Sequence, residues 1–509
     1  MLTRRTLKHC LDRKNRQVYD IEHTFIAIPM TQGYTDFYQF ESLWKIMKGE
    51  EKRGNLQTDY YSQDVKEISE QLKKLRSKLR NTKKIERDII RQDIAELKED
   101  LDEKKEVELK LKALEISKGK AKVDIGTQTI KGHKAFVTNN IDTMLICQII
   151  KLELRRSYKL YPANMDMIIE QIKGLLDNKM PKIIIRADIH SFFESIPQHE
   201  LVEKLSNDGF VSRKTVKYLK KVLYTYNETA NILDEKGLPR GLSFSSHLSE
   251  LYMRPIDEKV RRLDGVLFYK RYVDDIFIVA DPDKCSKEDY WERLNSIFEE
   301  KDLNLHNDSE KKYLECLDKQ IVDAQFDYLG YKFVYKKGKL DICLSNKRYS
   351  KYRIMIDAIF EIYAQCSHYR KKYDDVNKDG HSKYCHKDAL HQLFERIEIL
   401  TSNGLLSGRK NFVATGIYYT NKYLTDLSQL NKLDDYLSEK IESKEAFCPP
   451  SNLFNYGQDN GYEKNVSLIK NKLHSYSFVK GFNERKIHKS EHFGRILLDL
   501  QRIYYSRTR

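Results

Sequence analysis

Two adjacent carboxylates, Asp274 and Asp275, interrupt an otherwise apolar β-like run, Val266 to Ala280 (VLFYKRYVDDIFIVA). Taking both out of water is costly unless they stand at a hairpin tip and hold a cation. A third carboxylate, Asp188, closes a shorter strand pattern, Lys182 to Ile189 (KIIIRADI), and leads into a helix-like segment, His190-Ser-Phe-Phe193-Glu-Ser. Between the two lies Gly237-Leu-Pro-Arg240-Gly241, a glycine-rich turn that runs into an apolar helix reaching Tyr252. Glycines there let backbone approach a ligand closely. The Tyr-x-Asp-Asp spacing is short enough to arise by chance, but three such pieces in this order are not readily explained that way.

The elements that position these residues follow from pattern. Pro181 bounds the Ile-rich run upstream, which suits a buried strand. Val266 to Ala280 carries a polar centre between apolar arms, the pattern of a hairpin. Ser62 to about Ile116 is almost wholly Lys, Glu, Asp, Arg, Leu and Ile, without proline or glycine. Apolar residues recur there at spacings of four and three, as in Ile68, Leu72, Leu75 and Leu79. Asn81-Thr82 breaks that repeat and predicts two antiparallel helices, either an arm for assembly or RNA or a solvated spacer. Thr24 to Pro29 is β-like, and from about 345 onward the pattern is helical, with a loop-like stretch from Lys371 to Lys387.

In this order the pieces resemble the motifs of reverse transcriptases, specifically from about 183 to 335. Asp188 with Phe193 resembles motif A, Gly237 to Tyr252 motif B, and Tyr272 to Asp275 the YxDD box of motif C. Leu303 to His306 followed by Lys311-Lys312 resembles motif D, and Phe326 to Phe333 motif E. Ile141 to Tyr161 corresponds to the fingers. The resemblance implies an α+β fold: right-hand fingers and palm over 1–340, a helical coiled insertion at 62–117, and a mostly α-helical C-terminal domain over 341–509. It implies nucleotidyl transfer with two Mg²⁺ ions about 4 Å apart. Asp188 and Asp274 are expected to bridge both ions, with the carbonyl of Ile189 assisting and Asp275 in secondary contact or orientation. Phe193 is the expected barrier to a 2′-hydroxyl, hence deoxynucleotide substrates. Arg240 departs from the glutamine of many relatives and is expected to grip template phosphate beside Gly241. Lys311 or Lys312 is expected to protonate pyrophosphate, the alternative being a solvated lysine pair.

Nothing in the chain resembles a ribonuclease H, an integrase or an endonuclease. Ile342 to Arg353 and Thr415-Gly-Ile-Tyr-Tyr419, set among helices, instead resemble bacterial abortive-infection and defence-associated reverse transcriptases, the ninth class being the nearest subtype. That resemblance implies antiphage defence, a partner noncoding RNA as template, a homo-oligomer (trimer or hexamer), and a DNA product that protein priming would leave covalently attached. Tyr504 and Tyr505, in a flexible tail rich in arginine, are the candidate priming residues; simple anchoring of the last helix is the alternative. A template-independent terminal transferase on the same palm, and a non-catalytic RNA-binding or maturase-like scaffold, are the competing functions.

Composition agrees with a nucleic-acid partner. A chain of 509 residues with 40% hydrophobic content is expected to form two or three domains. The net charge of +15 favours a polyanion, although excess lysine also serves solubility, and 33 tyrosines offer stacking faces. No apolar run approaches the roughly 20 residues that span a bilayer, and no apolar segment follows the basic start. Eight scattered cysteines fit reduced thiols in a cytoplasm. Cys366, His368, His381, Cys385 and His386 cluster in sequence but lack a standard zinc spacing.

Overall fold

In the computed structural model the described residues are 43, 45–48, 50, 60–81, 87–130, 133–161, 163–178, 180–309, 311–317, 323–336, 339–374, 382–407, 412–443, 460–488 and 493–507. The run from Thr24 to Pro29, and the side chains of the Cys366 to His386 cluster, lie outside them. The chain divides into two compact units, one of residues 1–164 and 183–314, the other of 165–182 and 315–509. The expected boundary after residue 340 thus falls inside the second unit.

In the first unit, β1 (Ile125–Ile130) and β2 (His133–Thr138) form an antiparallel hairpin. A four-stranded sheet combines β3 (Lys182–Asp188), β4 (Val266–Tyr272), β5 (Asp275–Ala280) and β6 (Tyr313–Leu317), in the order β4-β5-β3-β6. The central strands β3 and β5 are buried on both faces, so they read as continuous apolar runs rather than alternating ones. Ile183, Ile184, Ile185, Ile276 and Ile278 are all shut from solvent. Burying each such side chain contributes about 1.5–3 kcal/mol. That is the reason KIIIRAD becomes a strand.

Helices cover the sheet and lead into it. Ile141–Tyr158 is capped by Asn140, whose Oδ1 accepts from the Thr143 N–H at 2.7 Å. Ser245–Arg261, the helix expected after the glycine turn, packs against β4. The charged repeat forms the two predicted helices, Gln63–Asn81 and Arg87–Ser117, which pack on each other.

The second unit holds an antiparallel sheet of β7 (Asp323–Tyr328), β8 (Tyr331–Lys336) and β9 (Lys339–Leu344), whose first turn carries Leu329 and Gly330 at positive φ. Phe326 and Phe333 stack across it at 5.0 Å. The helices Asn346–Asp374, Ser382–Thr401, Ser428–Glu442, Asn460–His474 and Phe493–Arg507 bear out the helical pattern. A small sheet among them was not foreseen: β10 (Asn403–Ser407), β11 (Phe412–Gly416) and β12 (Ile487–His488), in the order β11-β10-β12. Thr415, expected among helices, therefore lies inside a strand. Among the described residues no helix is long and apolar enough to cross a membrane.

Candidate active site

Strand pairing brings the three carboxylates together. Asp188, the last residue of β3, is in register with Asp275, the first of β5, and Asp275 also closes the β4–β5 hairpin opposite Tyr272. Val273 and Asp274 are thus the two-residue tip expected from the polar centre. Val273 has φ of 60°, a left-handed conformation that is strained for a β-branched residue by about 1–3 kcal/mol. The Asp274 carbonyl accepts from the Ile189 N–H at 3.2 Å, tying the tip to the end of β3. Ile189 also bridges to Leu305, and the Asp188 carbonyl accepts from the His306 N–H at 2.9 Å. Leu303 to His306 therefore lies directly beside Asp188.

Charge in this corner is tightly packed. Lys311 Nζ sits 2.9 Å from Asp188 Oδ1, and His306 Nε2 lies 3.5 Å from the same oxygen. The His190 and His306 rings face each other at 4.8 Å between centroids. Burial pushes the Asp274 carboxyl up, as does the neighbouring Asp188 charge, while Lys311 and Arg240 pull it down. Burial likewise raises Asp275, to about 6, against the opposing pull of Arg186, whose Nη2 stands 3.6 Å away. Burial and like charge both disfavour the ionised carboxylates, and neighbouring cations oppose that shift.

The remaining expected residues separate. Phe192 is buried, whereas Phe193, next to it at 5.4 Å between ring centroids, is half-buried. The Arg240 guanidinium lies 5.5 Å over the Phe193 ring and 3.2 Å from Glu194. This ties Arg240 to the segment that follows Asp188. The Gly237 and Leu238 N–H groups donate to the carbonyls of Ile196 and Phe193. Gly241, at φ of 109°, packs so closely on β2 that a Cβ there would stand 2.5 Å from the Phe136 oxygen. A cleft of about 450 Å³ opens beside this contact, lined in part by Phe136, Asn139, Gln148, Gly241 and Ser243. Of the lysine pair, Lys311 reaches the carboxylates. Lys312 turns away, its Nζ 3.9 Å from the Trp291 ring centroid, and burial lowers its pKa.

Tyr504 and Tyr505 belong to the helix Phe493–Arg507, not to a flexible tail. Their rings meet at 5.2 Å, Lys351 Nζ lies 5.3 and 5.7 Å from them, and Arg507 pairs with Glu361 at 2.7 Å. Sequence reasoning missed Arg271, Glu250 and Asp257 behind the hairpin. The available signal was an arginine inside an apolar strand, which needs buried partners.

A family model described as reverse transcriptase (RNA-dependent DNA polymerase) matches residues 132–333, from β2 into β8. The chain therefore carries a reverse transcriptase domain, of the RNA-directed DNA polymerase class, and the three carboxylates lie within it. No curated protein matches the chain. Among solved structures it is similar to telomerase from Candida albicans in complex with a fragment of telomeric RNA, at 14% identity and a TM-score of 0.30, covering 70% of this chain and 56% of that one. Apo telomerase from Candida tropicalis gives 11% identity and a TM-score of 0.31, over 71% of this chain and 57% of that one. The same organism's telomerase with the RNA fragment gives 11%, 0.32, 76% and 61% respectively. The chain thus spans little more than half the length of these telomerases, and the class assignment rests on the family match.

Proposed function

We propose that this protein is a reverse-transcriptase-type polymerase that adds deoxynucleotides by two-metal nucleotidyl transfer, templated by a partner noncoding RNA, in antiphage defence. The observation that carries the polymerase reading is the meeting of Asp188, Asp274 and Asp275 at the paired ends of β3 and β5. The donor set fits Mg²⁺, because carboxylates whose pKa is raised by burial and by one another are relieved by a hard cation. Among the described residues no group of three or more His, Cys, Asp or Glu side chains is arranged to hold a metal ion by itself. Asp188 and Asp274 would hold the ions, with the Ile189 carbonyl; when bound, they lower the pKa of the attacking hydroxyl and stabilise the leaving pyrophosphate.

The chain's own groups have separate tasks. Asp275, paired with Arg186, orients the hairpin. Lys311 stands beside Asp188, where it can give a proton to pyrophosphate. Phe193, with Arg240 over its ring, would lie against the incoming sugar and exclude a 2′-hydroxyl, and Gly241, packed on Phe136, would set the backbone of the turn beside the nascent pair. The +15 charge supports an RNA partner, and the two charged helices at 63–117 suit a homo-oligomer, trimer or hexamer, assembled on it. Priming from Tyr504 or Tyr505 would leave the DNA product covalently attached.

The test is to purify the protein with the RNA it retains, add Mg²⁺ and one labelled deoxynucleotide at a time, and resolve products with and without protease. Label that migrates with protein, disappears in Asp274→Asn and is sensitive to prior RNase supports RNA-directed, protein-primed synthesis at this site. Incorporation indifferent to RNase would instead indicate a terminal transferase. None under any nucleotide or primer-template leaves an RNA-binding scaffold.

A further inference from the structure

Arg271 is buried in β4, with a side chain only 3% exposed, at a position where an apolar residue would pack without desolvating a charge. All five of its N–H donors are used. Nε and Nη2 form a fork with Asp257 at 3.0 and 2.9 Å, while Nη1 and Nη2 form a second with Glu250 at 3.0 and 2.9 Å. The fifth, from Nη1, goes to the Val273 carbonyl at 2.7 Å. Tyr269 adds a hydrogen bond to Asp257 Oδ1 at 2.6 Å.

Both acidic partners lie on the helix Ser245–Arg261, two turns apart and so on one face. The guanidinium therefore connects three things: the strand, the helix that begins just after the Gly241 turn, and the peptide between Val273 and Asp274. Rotation of that peptide, through ψ of Val273 and φ of Asp274, is the motion by which a two-residue hairpin turn changes type, and φ of 60° at the β-branched Val273 makes the whole turn a strained one. A hydrogen bond to its carbonyl opposes the rotation.

We propose that Arg271 is a positioning residue for nucleotidyl transfer: it holds the strained Val273–Asp274 peptide in one orientation and so fixes the Asp274 carboxylate opposite Asp188. The inference deepens the polymerase reading and rests on it. Lysine has three donors on a compact ammonium and cannot serve two carboxylate forks and a carbonyl together.

The experiment compares Arg271→Lys, Val273→Gly and the double variant by single-turnover incorporation, deoxynucleotide affinity and melting temperature. Arg271→Lys is expected to lower the rate by about 10²-fold, the scale of a small misplacement of reacting groups. Nucleotide affinity should stay within about threefold, because this arginine touches no substrate. Val273→Gly, which removes the strain, should restore part of the rate in the Arg271→Lys background. A rate within about threefold of wild type per folded molecule, or a loss residing wholly in affinity, overturns the proposal. If Arg271→Lys does not fold, Glu250→Gln removes one fork only; it should slow the rate by about tenfold at unchanged affinity, and an unchanged rate overturns the proposal. If the wild type incorporates nothing, the polymerase reading fails, and melting temperatures still test the clamp. The cost of Arg271→Lys must then be smaller in the Val273→Gly background than in the wild type, and simple additivity refutes it.

Discussion

Gly241→Ala tests whether the glycine turn and the β1–β2 hairpin are built against each other. An alanine there meets two penalties. At φ of 109° an L side chain is strained, by about 1–3 kcal/mol. Its Cβ would also stand 2.5 Å from the Phe136 oxygen, nearly 1 Å inside ordinary contact, and that neighbour is backbone and cannot swing aside. The hairpin must retreat, which breaks the 2.7 Å hydrogen bond from the Phe136 N–H to the Arg240 carbonyl, at about 1 kcal/mol. The expected total is about 2–4 kcal/mol. Gly209 is the control: it ends the helix Gln198–Asp208 at φ of 65°, and a Cβ there would have no neighbour within 4 Å, so Gly209→Ala should cost only about 1 kcal/mol. Urea denaturation followed by tryptophan fluorescence measures both. Equal losses would show that the contact with Phe136 contributes nothing, and the reasoning would fail.

Asp274→Asn should reduce incorporation by at least about 10³-fold while leaving RNA retention intact, checked by product gels and RNA co-purification. Lys311→Ala should slow single-turnover incorporation by about 10²-fold, whereas Lys312→Ala should chiefly lower stability, by about 0.5–2 kcal/mol, through its lost contact with Trp291. Equal kinetic effects would contradict their separation. His247 is pushed down to about 4, first by burial and then by Lys151 and Arg155 on the helix Ile141–Tyr158, with Glu250 lining the same pocket. Because its folded pKa lies below the unfolded 6.5, its contribution is present above pH 6.5 and is lost as pH falls toward 4, with a ceiling of about 3 kcal/mol. His247→Gln should flatten that acid limb in a pH series of melting temperatures, and an unchanged limb would exclude His247 as its source.

Residue type and order alone exposed the carboxylates, the glycine turn and the strands that carry them. Ile-rich runs have one stable fate, burial as central strands, and charges within such runs are tolerated only where they are paired or functional. The heptad-like spacing likewise fixed two charged helices at 63–117, since that periodicity is a property of the chain itself. Partner choice was not legible. The sequence presents Lys311 and Lys312 as equivalents, and only the packing of Trp291 beside one and Asp188 beside the other tells them apart. Arg271 stands next to the YVDD box in plain sight, yet its partners Asp257 and Glu250 lie on a helix that ends before β4 begins, and no local pattern joins them. The sheet of β10, β11 and β12 escaped for the same reason: Asn403 pairs in parallel with Ile487, far along the chain. Local sequence settles what a segment prefers, whereas long-range contact settles which charge is answered by which, because that energy depends on distance in space.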